Sequence, residues 1–71
     1  GMTKEEQFKQ YLKSTGDQII TVFTIARHLR VAHEKAEHIL KSLLEQGIVR
    51  EKGRSIAGKE YEVLGGAANE Q

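Results

Sequence analysis

Two amphipathic periods separated by a very short break constrain this chain more than any other feature. Val22, Ile25, Ala26 and Leu29 fall at i, i+3, i+4 and i+7, the spacing that lays one apolar stripe along a helix. Ala36, Ile39, Leu40, Leu43 and Leu44 repeat the pattern. Thr21 can accept from the first free amides of the earlier helix, predicted over about Val22 to Arg30. Gly47 can take the left-handed conformation that ends the later one. The break around Val31-Ala32 is only three or four residues long, so the two helices turn directly onto one another, as a helix-turn-helix pair does.

The flanks supply the rest of a small α+β fold. Thr3-Lys4-Glu5-Glu6 has the form of a capping box, and Phe8, Tyr11 and Leu12 give a first helix, Lys4 to Lys13, one apolar stripe. Ser14-Thr15-Gly16 would end it. Ile19-Ile20, after Gly16-Asp17, is long enough only for a brief strand. Ile48 to Lys52 and Lys59 to Leu64 favour strands, with Gly53 to Gly58 as a Gly-bounded loop, and together they predict a β-hairpin. The expected organisation is residues 1–3 as a tag remnant and helix cap, 4–64 as the folded domain, and 65–71 as a disordered tail. Gly1 before Met2 reads as an expression scar.

Length and composition narrow the function. The chain has 71 residues and no Cys, Pro or Trp, which removes disulfide scaffolds and thiolate metal sites. A domain of about 60 residues buries only ~60% of its unfolded surface, so no deep cleft and no pocket of about 300 Å3 is expected. Ser14, Ser42 and Ser55 lie in no nucleophile context and no phosphate loop follows a strand. The expectation is a binding module rather than an enzyme, with no cofactor and no small-molecule substrate. No apolar run approaches the roughly 18 residues of a membrane span, so the expected setting is soluble and cytoplasmic, without a membrane partner.

The run Leu29-Arg30-Val31-Ala32-His33-Glu34-Lys35-Ala36-Glu37-His38-Ile39-Leu40, followed by Gln46-Gly47-Ile48-Val49, resembles the winged helix-turn-helix superfamily, and within it the gamma domain of FtsK-type DNA translocases. That family reads L-R-I-G-Y-N-R-A-A-R-L-I and then A-G-I-V, in the same register without a gap, and Gly58-Lys59-Glu60-Tyr61-Glu62-Val63-Leu64 is similar to its closing hairpin. The resemblance covers about Glu5 to Leu64. It implies three helices, a short strand and a hairpin wing, with the third helix in the DNA major groove and the wing along the backbone. The match lies mostly in apolar positions. At the family's base-reading Tyr-Asn-Arg stand His33, Glu34 and Lys35, and its later Arg is His38, so the family's target sequence does not carry over.

Charge placement carries the functional reading further than the total of +1. From Arg50 to Lys59 the hairpin has Arg50, Lys52, Arg54 and Lys59 against Glu51, a net +3 over ten residues. With Ser55 as a neutral donor this composition suits phosphate oxygens; the alternative is a solvated edge whose cations discourage strand pairing. Arg27 and Arg30, near the turn, are candidate phosphate contacts or ordinary surface charges. His33, Glu34, Lys35, Glu37, His38 and Lys41 form the candidate groove-facing set. Yet the third helix, Ala32 to Gln46, carries Lys35 and Lys41 against Glu34, Glu37 and Glu45, and a carboxylate suits the major groove mainly opposite cytosine N4. The alternative is intrahelical pairing of His33 with Glu37, Glu34 with His38 and Glu37 with Lys41. His28, His33 and His38 lie five apart, which is not metal spacing; they are expected to face solvent. The expected partner is double-stranded DNA, with transcription regulation or a place in a larger protein as the setting. The alternative is a protein-interaction domain of the same fold.

Overall fold

A computed structural model describes residues 1–15 and 18–65. The expected turn at Gly16-Asp17 and all of the expected tail beyond Gly65 lie outside the described residues. Three helices and three strands follow in the order α1 (Lys4–Thr15), β1 (Ile19–Ile20), α2 (Val22–Leu29), α3 (His33–Glu45), β2 (Val49–Ser55) and β3 (Gly58–Val63). The strands form one antiparallel sheet in the order β1-β3-β2.

Local chemistry accounts for most boundaries. The Thr3 Oγ1 accepts from the Glu6 amide at 3.1 Å, and the Glu6 carboxylate accepts from the Thr3 amide at 2.8 Å, which is the capping box completed in both directions. The Thr21 side chain caps α2, with Thr24 reaching back to the Thr21 amide at 3.1 Å. Ala32 precedes α3 with no side-chain cap, as its methyl requires. α3 ends where Gly47 takes φ +73 and the Ile48 amide donates to Leu43 at 3.0 Å, the Schellman closure. α2 closes the same way without glycine: Arg30 sits at φ 57 and the Val31 amide donates to Ala26 at 3.1 Å.

Two expected boundaries move. α1 continues to Thr15, two residues past Lys13, with Ser14 and Thr15 hydroxyls donating back to the carbonyls of Tyr11 and Leu12. The predicted Gly53–Gly58 loop is largely strand: Ser55 pairs with Gly58, and only Ile56 and Ala57 turn the chain. Gly53 pairs with Glu60 beyond a bulge at Lys52, so this glycine relieves the ladder rather than ending it. Gly58, at φ +107, supplies the left-handed step after the turn.

The core lies between the helices and the inner face of the sheet. Phe8, Leu12, Ile20, Ile25, Leu43, Ile48 and Val49 are its largest fully buried side chains, joined by Leu29, Ala36, Ile39, Leu40, Tyr61 and Val63. Leu44, expected in the apolar stripe, is exposed at its edge. His28 is exposed, as expected, with one face of its ring laid on Tyr11, centroids 4.0 Å apart, where α1 meets α2. A polar seam fixes α1 to α3: the Glu5 carboxylate accepts from Ser42 at 3.0 Å and from Gln46 at 2.8 Å, and Lys9 donates to Gln46. No helix among the described residues is long and apolar enough to cross a membrane.

Candidate functional site

Because Ala36, Ile39, Leu40 and Leu43 face the core, the helical period turns Glu34, His38, Lys41 and Glu45 to the opposite, outermost side of α3. Glu34, Glu37, His38 and Lys41 line a shallow depression there. Lys35 lies on the flank nearer α1, where it and His38 share a second depression with Lys4 and Glu5. His33 lies on the other flank: its Nε2 is 3.3 Å from the Glu37 carboxylate, and its ring is 5.4 Å from that of Phe23. Of the three intrahelical pairs expected, only His33 with Glu37 forms; among the described residues no ion pair joins Glu34 to His38 or Glu37 to Lys41.

The hairpin separates its cations by face. Val49, Tyr61 and Val63 point inward, so strand alternation turns Arg50 and Glu62 outward, and the Arg50 Nε donates to Glu62 at 2.9 Å. The Arg50 guanidinium, by that hydrogen bond and its charge, holds the Glu62 carboxyl below the usual carboxylate range. Arg54 and Lys59 stand directly opposite each other across the ladder, on the face that Tyr61 shares. Lys52 occupies the bulge. The Ser55 Oγ accepts from the Ala57 amide at 3.1 Å, tightening the turn and leaving its O–H to donate outward. Arg27 is exposed in the last turn of α2, and Arg30 forms the left-handed corner beside it.

The thirteen candidate residues therefore divide. Arg54, Lys59 and Glu37 line the gap between α3 and the hairpin, with His33 beside Glu37, while Arg50 faces away on the outer side of the sheet. Arg27, Arg30, Lys35, Lys41, Lys52, Arg54 and Lys59 have no acidic partner within salt-bridge distance among the described residues. The gap is a depression of about 350 Å3, larger than expected for so short a chain because the hairpin and the start of α2 wall it from both sides. It opens to solvent and is no enclosed cleft. Phe23 lines it, half exposed, and sequence reasoning passed over this residue. The signal was present: Phe23 falls outside the Val22-Ile25-Ala26-Leu29 stripe, so an aromatic ring was bound to stand on the open side of α2. Among the described residues no cluster of three His, Asp or Glu could hold a metal.

Comparison with known proteins returns nothing: no protein-family model, no curated protein and no solved structure matches the chain.

Proposed function

We propose that this chain is a winged helix-turn-helix domain that binds double-stranded DNA as a cytoplasmic, non-catalytic module. α3 enters the major groove and the β2–β3 hairpin is the wing on the phosphate backbone. The observation that carries this reading is the pair of unpartnered cations, Arg54 and Lys59, on the hairpin face beside α3. The sequence resemblance to the gamma domain of FtsK-type translocases supports the same assignment of elements. Arg27, Arg30 and Lys52 add backbone contacts, and Lys35 and Lys41 are the basic members of the groove-facing helix.

The test is a salt titration against random and selected duplex DNA. Affinity falls steeply with salt in the wild type. Arg54→Ala weakens binding to all sequences alike and lowers the salt slope by roughly 1, whereas Lys35→Ala changes sequence preference. The absence of binding to duplex DNA at low salt overturns the reading. One observation favours a second function: the outermost side of α3 carries Glu34 and Glu45 against Lys41, a surface suited to a basic protein partner. That reading gains if duplex binding is absent.

A further inference from the structure

Phe23 is a large aromatic side chain that the core does not use. It stands half exposed at the second residue of α2, while Val22 and Ile25 beside it pack inward. Its backbone is held by the helix cap, the Phe23 amide donating to the Thr21 Oγ1 at 3.2 Å, so the ring projects from a fixed helix end rather than from a loop. On one side it meets His33, the first residue of α3, with ring centroids 5.4 Å apart. On the other it faces the depression it shares with Arg54 and Lys59 of the hairpin, whose floor is the apolar surface of Val22, Leu40 and Tyr61. A phosphate would engage the two cations and leave the ring and this floor in water.

In the proposed arrangement the start of α3 meets base edges while the hairpin lies along the backbone. Phe23 sits between the two, so it meets the part of a base nearest its own strand's backbone. In a pyrimidine that part is C5, and the C5-methyl of thymine is the apolar group that the major groove presents. We infer that Phe23 is a specificity-determining residue outside α3, its ring packing on the C5-methyl of one thymine in the bound duplex. The inference rests on the DNA-binding reading and adds to it a base preference supplied by α2. Glu37 and His33 lie beside the ring and can pair with polar base atoms. Thymine and uracil present the same polar atoms and differ only in the methyl, so comparing them isolates the contact made by the ring.

The test uses the full chain and a duplex that it selects from a random pool, remade with each thymine in turn replaced by deoxyuridine. At one position the replacement lowers wild-type affinity about fourfold, the worth of one buried methyl group. Phe23→Ala, at an exposed position whose amide still completes the cap, binds the thymine and deoxyuridine forms of that position equally. Phe23→Leu keeps an apolar side chain and retains part of the difference. Arg54→Ala weakens binding to both forms alike and leaves their ratio unchanged, which separates the ring from the charge of the wing. Wild-type binding insensitive to every replacement, or a Phe23→Ala variant that keeps the full ratio, overturns the contact and leaves the DNA-binding reading standing. A selected pool without a preferred thymine does the same. A wild type that binds no duplex at low salt overturns that reading, and the contact with it.

Discussion

Single residues mark where this chain departs from the most stable local choice. Ala32 begins α3 without a side-chain acceptor, so Ala32→Ser raises stability by about 1 kcal/mol, read as a higher midpoint in urea; a lower midpoint would mean that the helix starts elsewhere. Arg30 holds a left-handed conformation, φ 57, that costs a non-glycine residue about 1–2 kcal/mol. Glycine returns part of that through the freer unfolded chain, about 0.4–1 kcal/mol. Arg30→Gly therefore stabilises by roughly 0.5–1 kcal/mol; under the proposed DNA-binding role it also lowers duplex affinity and the salt slope. A variant that is stabilised with unchanged affinity would make the arginine a structural accident. The Ala32 position was legible from sequence because capping is a local property. The left-handed Arg30 was not: nothing in an arginine announces positive φ, and its sequence position suggests only a phosphate contact or a surface charge at the end of α2.

At the scale of elements, the hairpin shows best what local pattern misses. Gly53 and Gly58 bracketed an apparent loop, yet pairing across the ladder carries both strands to Ser55 and Gly58, because an exposed ladder needs hydrogen bonds and twist rather than an apolar signal. The cross-strand register, and hence the pairing of Arg50 with Glu62 and of Arg54 with Lys59, depends on the bulge at Lys52, which composition does not reveal. The Arg50–Glu62 pair gives the hairpin a signed pH dependence. The Glu62 carboxyl titrates lower in the folded chain than in the unfolded one, so its contribution is present above the ordinary carboxylate pKa and fades as pH falls through the lowered folded value. Glu62→Gln is expected to flatten that acid limb of stability, and Arg50→Ala to return the Glu62 carboxyl resonance toward its ordinary titration range. Identical acid limbs for wild type and Glu62→Gln would exclude the pair as the source. Helix faces were easier to foresee: the period of α3 identified Ala36, Ile39, Leu40 and Leu43 as inward, and only Leu44, at the stripe's edge, emerged on the surface.

For the whole molecule, one core serves every element, and it is small. Phe8 is fully buried, with its ring 5.6 Å from Tyr11 and 5.8 Å from His28. Phe8→Ala is expected to cost about 3–5 kcal/mol, against a total of about 4–10 kcal/mol for a domain of this length. Thermal unfolding followed by circular dichroism checks this; a shift of only a few degrees would mean that the site collapses around the smaller side chain. The helix pair, the brief strand and the hairpin were readable because each has its own periodicity. Their assembly was not, because Lys9 with Gln46, Glu5 with Ser42 and Phe23 beside the hairpin join residues far apart in the chain.

β3 is the last strand among the described residues and the middle strand of the sheet. Its edges hold β1 through Ile19–Glu62 and Ile20–Tyr61, and β2 through the whole hairpin. During synthesis, therefore, the three helices and two strands leave the ribosome before any sheet can form. Ile20 and Val49 must wait uncovered until Tyr61 and Val63 have cleared the exit tunnel. A nascent chain stalled with Gly58 to Val63 still inside the tunnel is expected to be protease-sensitive along its length, and one tethered by a C-terminal linker long enough to bring Val63 outside to become resistant in a single step.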